Sequence, residues 1–393
     1  MATSHPMLPA DAAQATLIGR AWLPGEGPTP VALRADGQLV DLARLAPTVS
    51  ALLELPDPAT AVRGWLSADR SGLGTAADLG NAPQDDAHLH LLAPCDLQPI
   101  KASGVTFVAS MLERVIEERA KGDPSKAEAV RRAVIAVIGD DLSKVRPGSP
   151  ESARLKDVLI AQGMWSQYLE VGIGPDAEIF TKTAPMASVG HGADIGLHPK
   201  STWNNPEPEV VLAVNSRGTI IGATLGNDVN LRDFEGRSAL LLGKAKDNNG
   251  SCAIGPLIRL LDAGFSLDDL RQEAIGLQVV GEDGFVLQGL SQMRLISRDV
   301  TELVAHAMGA HHQYPDGVML FCGTMFAPTQ DRGAPGEGFT HKIGDVVTVH
   351  SQRLGALTNR VGLSDQITPW TFGLTALMAC LARRGLLDAA VLR

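Results

Sequence analysis

The segment at 204–230, NNPEPEVVLAVNSRGTIIGATLGNDVN, constrains the fold of this chain more than any other stretch. It reads as a strand, a turn at Asn215-Ser216-Arg217-Gly218 and a returning strand over 219–227. Alternate strand residues share a face, so Glu207 and Glu209 point the same way. With the turn centred between Ser216 and Arg217, Glu209 faces Thr224, Glu207 faces Gly226 and Asn205 faces Asp228. Opposed residues share a face. Asp228 therefore joins the two glutamates, diagonal to Glu207, provided that no bulge slips the ladder by one residue. Three carboxylates on one face repel one another and raise one another's pKa. A divalent cation removes that conflict, and all-oxygen ligation favours Mg²⁺, Mn²⁺ or Ca²⁺ over Zn²⁺. The competing reading is a solvated acidic strand end.

From 177 onward the chain is strand-like with Gly and Pro punctuation, for example EVVLAVN, TIIGATLGN, GLQVVGEDGFVLQG and GDVVTVH. Helices are expected at 106–138, 151–169, 255–263, 266–272, 301–309 and 370–384. In the first of these, Val108, Met111, Leu112, Val115 and Ile116 make one apolar face, and the helix restarts after an interruption at Gly122-Asp123-Pro124. The fold class is thus α+β, mostly β, with peripheral helices. Short β segments over 16–42, a helix-like stretch over 42–55 and a loop-rich span over 66–93 precede this part. A chain of 393 residues suits two domains at roughly 100–200 residues each: a small N-terminal domain, 1–95, and a main domain, 96–393.

Composition narrows the partners. A formal net charge of -10 argues against nucleic acid. Cys95, Cys252, Cys322 and Cys380 are far apart and form no CxxC pair, which argues against a disulfide framework or a zinc site. The N-terminal residues lack the pattern of a secretory signal, and no apolar run approaches the ~18 residues that span a bilayer. The expectation is a cytoplasmic protein with neither a nucleic-acid nor a membrane partner.

Several motifs in order resemble the fumarylacetoacetate hydrolase superfamily. They are Glu207-Pro208-Glu209, then Asn227-Asp228-Val229-Asn230-Leu231-Arg232-Asp233, then Lys246 nine residues before Gly255-Pro256. Lys244 offers a competing register, but the distance to Gly255-Pro256 favours Lys246. Gly323-Thr324, the closing segment 339–361 and the upstream segment 180–197 with Lys182 extend the likeness over about 100–361. The resemblance implies a fumarylacetoacetase C-terminal-like mixed β-roll assembled as a homodimer or homotetramer. It implies Mg²⁺ on Glu207, Glu209 and Asp228, a bound 2-keto acid, and Lys246, Arg232, Gly323 and Thr324 beside that acid.

The chain departs from the family at one place. Hydrolases of the superfamily carry an early G-L-N-Y-x-x-H-A-x-E segment whose His and Glu activate water. Here Gly104 to Glu113 keeps the acid as Glu113 but has Ser110 at the His position. A hydroxyl is no general base near neutral pH without its own activating base. A broken water-activating pair beside a whole metal site fits elimination better than hydrolysis. The resemblance then narrows to enzymes that dehydrate a 2-keto-3-deoxy-pentonate, xylonate or arabinonate, to 2,5-dioxopentanoate. Glu113 or Lys182 would be the C3 base or the acid that assists hydroxyl departure. Two alternatives remain: a C–C hydrolase of an acylpyruvate or fumarylacetoacetate-type acid, with His191 or His341 arriving through space, and a non-catalytic relative.

Overall fold

The structure is a computed structural model and describes residues 5–121, 123–138, 145–326, 328–333 and 338–387. The strands are β1 (Leu17–Leu23), β2 (Gly27–Leu33), β3 (Gln38–Asp41), β4 (Gly74–Thr75), β5 (His90–Leu92), β6 (Ile100–Ser103), β7 (Ile179–Thr183) and β8 (Asp194–Leu197). They continue with β9 (Pro208–Val214), β10 (Ile220–Asp228), β11 (Cys252–Leu260), β12 (Ala274–Val280), β13 (Val286–Gln292), β14 (Val318–Phe321), β15 (Val346–Ser351) and β16 (Gly355–Leu363). Among the described residues they form an eleven-stranded sheet, β4-β3-β2-β1-β11-β10-β9-β14-β6-β7 with β5 beside β1, and a five-stranded sheet, β13-β12-β15-β16-β8. Both are mixed: β14 with β6 and β16 with β8 run parallel, and the other pairs antiparallel. This is the α+β roll that the sequence suggests.

The β9–β10 hairpin forms where expected, in a different register. Asn215 closes the turn by accepting from Arg217 N and Thr219 N through its side chain, and Gly218 supplies a φ of +77°. Val214 pairs with Ile220, a bulge follows, and from there Ala213 pairs with Gly222 and Glu209 with Gly226. Compared with the expected register, every partner beyond the bulge has moved by two residues. A shift of two preserves the face, so Asp228 still joins Glu207 and Glu209. Asp228 N–H donates to Glu207 O at 3.0 Å, which sets these two residues directly across from each other.

One face of the large sheet packs on the small sheet through Val210, Leu212, Leu225, Leu277, Val347 and Leu357. Its other face carries Val211, Ala213, Ile254, Ile258 and Phe321 and packs on α1 (Val49–Leu53) and α2 (Pro58–Leu66). Glu209 has the parity of Val211, so the triad lies on this second face, at the strand ends. There it is covered by α4 (Val108–Ala120), α8 (Arg232–Glu235) and α9 (Leu242–Lys246), with α3 (Ala76–Gly80), α5 (Pro124–Ile138), α6 (Pro150–Ala161) and α7 (Gln167–Ile173) elsewhere in the chain order.

Three helix expectations change. Residues 255–263 are mostly strand: β11 is buried along its whole length, and a strand covered on both faces loses the polar alternation that would mark it. The stretch 151–169 is two helices, because Gly163 leaves α6 at a φ of +64° and Ser166 caps α7. The expected 106–138 helix divides into α4 and α5; Asp123 and Pro124 lie between and at the start, and Gly122 lies outside the described residues. The later helices α10 (Leu267–Gln272), α11 (Val300–Ala307) and α12 (Leu374–Arg383) stand where expected. No helix among the described residues is long and apolar enough to cross a membrane.

Candidate metal centre

Glu207 immediately precedes β9, Glu209 lies at its start and Asp228 closes β10, and each offers one carboxylate oxygen within 4.8 Å of the others. All three are buried. Asn227 Oδ1 accepts from Glu207 N at 3.0 Å and fixes the entry to β9. Gly323, just after β14, donates its N–H to Glu209 Oε2 at 2.7 Å. Only glycine suits that position: its φ is +96°, and a Cβ there would lie 2.2 Å from Thr106 Oγ1.

Two lysines meet the triad. Lys246 Nζ, at the end of α9, lies 2.5 Å from Glu207 and 2.9 Å from Asp228. Lys182 Nζ, on β7, lies 2.8 Å from Asp228 Oδ1 and donates to the Lys246 carbonyl. Burial would raise the Asp228 carboxyl, but the two ammonium groups outweigh it and hold it below its ordinary value. Glu209 has no such cation in contact. Burial first, then the charge of Asp228, pushes it well above its ordinary value.

The donor set fits a hard divalent ion. It is all carboxylate oxygen. Glu207 Oε1 and Asp228 Oδ1 are buried. The charges of Arg114 and Lys182 lie against these two atoms. Burial and the charge of Asp228 disfavour the ionised form of Glu209, a conflict that a divalent cation would relieve. The solvated strand end considered from sequence does not apply, because the three residues are buried.

A second layer comes from α4 and α8. Arg114 lies against Glu207, with its Nη1 2.5 Å from Glu117 and 3.5 Å from Glu235. Arg232 Nε donates to Glu117 at 2.6 Å, and its Nη2 is 3.3 Å from Glu113. Glu113 also pairs with Arg131 at 2.8 Å. Ser110 Oγ is buried and has no hydrogen-bond partner among the described residues.

A cavity of about 20 Å³ touches the triad. Glu207, Asp228, Lys246 and Thr324 border it, and so do Arg114, Tyr168, Glu178 and Glu235. Ser110, Glu113, Lys182, Arg232 and Gly323 do not border it, and neither does any histidine. His191 bonds to the Ala356 carbonyl and His341 to Asp345. Sequence reading missed Arg114, Glu117, Glu178 and Glu235. The Arg114–Glu117 pair, at i and i+3 on a helix, was a visible signal. Glu178 and Glu235 carried none. Burial, then the charge of Glu235, pushes the Glu178 carboxyl up to about 7, against the pull of Lys246 and Arg114.

Comparison with known proteins adds a family. The model of the fumarylacetoacetate hydrolase C-terminal region matches residues 167–362. A 2-dehydro-3-deoxy-D-arabinonate dehydratase of Saccharolobus solfataricus is 32% identical over 194 residues, which is 49% of this chain and 60% of that protein. A Haloferax volcanii protein named "Probable 2-keto-3-deoxyxylonate dehydratase" is 28% identical over 198 residues, 50% of this chain and 64% of its own length. The match thus spans less than two thirds of either relative. The solved structure described as 2-keto-3-deoxy-D-arabinonate dehydratase complexed with magnesium and 2,5-dioxopentanoate shares the fold, with a TM-score of 0.60 at 21% identity over 88% of this chain and 99% of that one.

Proposed function

We propose that the chain, whose residues 167–362 match the fumarylacetoacetate hydrolase C-terminal family model, is a divalent-metal-dependent dehydratase of a 2-keto-3-deoxy-pentonate. The observation that carries this is the three converging carboxylates beside a cavity bordered by Glu207, Asp228, Lys246 and Glu178, whose carboxyl is pushed up to about 7, with no histidine among the described residues bordering it to activate water. The relatives named as pentonate dehydratases support the substrate class.

Glu207, Glu209 and Asp228 would hold Mg²⁺, with Mn²⁺ or Ca²⁺ as other ions this donor set accepts. When bound, the ion supplies Lewis-acid stabilisation of negative charge developing on a 2-keto oxygen. Lys182 and Gly323 position the ligands, through Asp228 and Glu209 respectively. Lys246 and Glu178 face the cavity and handle protons there. A proton leaves C3 and the C4 hydroxyl departs as water; a proton shift from C5 to C3 then gives the C4=C5 enol, and transfer of its hydroxyl proton to C4 yields 2,5-dioxopentanoate. Glu178, with its carboxyl near 7, is suited to both accept and return a proton near neutral pH. Thr324 offers a hydroxyl to the substrate, whereas Ser110, buried on α4 and not bordering the cavity, would reach it only if α4 moves. Glu113 is engaged by Arg131 and Arg232, so its part is to hold those guanidinium groups. Arg232 in turn fixes α8 to α4. The domain division at 95, a homo-oligomeric state and a cytoplasmic location belong to the same proposal.

The test is an assay of purified protein with Mg²⁺ on 2-keto-3-deoxy-D-xylonate, the D- and L-arabinonate forms and, separately, acylpyruvates. Formation of 2,5-dioxopentanoate from one of the pentonates is expected. Pyruvate release from acylpyruvate, with no pentonate turnover, would establish the hydrolase reading instead.

A further inference from the structure

We propose that a second ligand site, separate from the triad, lies beneath the segment 367–372 and takes a small monocarboxylate with a flat apolar body. The cavity there is about 600 Å³ and shares no bordering residue with the cavity at the triad. Ligand pockets typically span ~300–1,000 Å³.

Sheet parity builds its floor. Arg20 and Trp22 alternate on β1, and Leu92 and His90 stand opposite them on β5. Opposed residues share a face, and all four border this one cavity. The roof is the chain after β16. Phe372 meets the Trp22 ring edge-on at 5.4 Å, and Trp370 borders the cavity while 48% exposed.

Arg20 points to the ligand. It is 6% exposed, yet no carboxylate among the described residues forms an ion pair with it. One guanidinium nitrogen donates to the Cys95 carbonyl, and Nε is buried without a partner. The charge of Asp96 reaches it, but the Asp96 oxygens accept from Val49 N at 2.6 Å and Ser50 N at 3.0 Å. An uncompensated buried guanidinium is costly, and a carboxylate answers it with two parallel hydrogen bonds.

The rest of the wall sets the ligand's charge and body. Among the described residues Arg20 is the one Arg or Lys bordering the cavity, whereas Asp85, Asp86 and Asp194 also border it. The Arg20 guanidinium matches one negative charge, and the three aspartates weigh against a second, as in a dianion such as phosphate. The Trp22, Phe372 and Trp370 rings suit a ring or other flat body.

The test is calorimetric titration of the full chain with benzoate and with its neutral amide, benzamide, both in saturating Mg²⁺ and pyruvate. Benzoate should bind one per chain, and benzamide at least about tenfold more weakly, a 1.4 kcal/mol difference. Arg20→Met should remove that preference and leave pyruvate binding unchanged. Should Arg20→Met fail to fold, Trp370→Ala on the exposed roof should weaken benzoate and benzamide alike. Absence of benzoate binding up to about 10 mM, displacement of benzoate by pyruvate, or equal affinity for acid and amide would overturn the proposal.

Discussion

Arg232 donates from Nε to Glu117 Oε1 at 2.6 Å, and both side chains are buried between α8 and α4. A guanidinium held this way is committed to structure. Removing one partner of such a pair leaves an uncompensated buried charge and typically costs about 3–5 kcal/mol. Arg232→Met should therefore lower the urea midpoint by a matching amount, and Glu117→Gln likewise. A rise in KM at unchanged stability would instead make Arg232 a substrate contact.

Removal of metal should silence the enzyme, and its return should be visible without turnover. EDTA is expected to abolish activity, with Mg²⁺ or Mn²⁺ restoring it. Mg²⁺ at about 100 times its Kd should also stabilise the fold by about 2.7 kcal/mol, read as a rise in melting temperature. Glu209→Gln sharpens the test, because burial and Asp228 already push that carboxyl toward its neutral form. The metal-free variant should be at least as stable as the metal-free parent and should show no Mg²⁺-dependent rise. An unchanged rise would remove Glu209 from the ligand set.

Much of the triad was legible because it is local. Glu207, Glu209 and Asp228 lie on one hairpin, and the period of two carries all three to one face. The register itself was not legible. The longer Asn215–Thr219 turn and the bulge after Ile220 each shift the ladder, and together they move it by two, which leaves the face unchanged. Strand β11 was hidden because burial on both sides erases alternation. The polar side of α4 was not legible as part of the site. Arg114 and Glu117 sit where a surface helix faces water, but here that side meets the triad. Glu178 was invisible because its environment is assembled from distant segments: the chain at Gly104 passes so close that a Cβ would lie 2.0 Å from its carboxylate.

The Glu178 carboxyl, at about 7, should appear in the pH profile. As the group that accepts the C3 proton, it should make kcat rise as pH climbs through that value. Glu178→Gln should lose about 10²–10⁴ in kcat, and with it that limb of the profile. Stability should move the other way in metal-free protein. A carboxyl raised in the folded state from 4.5 to about 7 contributes stability that is full below 4.5 and lost as pH rises through about 7. The urea midpoint of the parent should therefore fall relative to Glu178→Gln between those values. Parallel profiles would show that Glu178 titrates as an ordinary glutamate.

Lys182 and Asp228 make a 2.8 Å ion pair that is almost wholly out of water. Lys182→Met leaves Asp228 with Lys246 alone and should cost about 3–5 kcal/mol in urea denaturation. If Lys182 served chemistry rather than position, kcat would collapse in a variant whose midpoint hardly moves.

Entry to the site requires movement of one of its walls. The cavity at the triad is about 20 Å³, enough for a water and far below the ~300 Å³ at which ligand pockets begin. A five-carbon acid can enter only if a wall withdraws. Helix α4 is the wall whose Arg114 occupies the space before Glu207, so it is the element expected to move. Its C-terminal end is open to inspection: Lys121 has a left-handed φ of 54° and is exposed, and Lys126, which starts the next helix, is exposed too. Cleavage after either lysine tracks the population in which α4 has opened. A 2-keto acid bridging the metal and α4 would lower that population. Limited trypsin digestion at Lys121 and Lys126 should therefore slow when Mg²⁺ and pyruvate are added together, and not with Mg²⁺ alone. Identical cleavage under all conditions would mean that substrate enters by another wall, with α4 fixed.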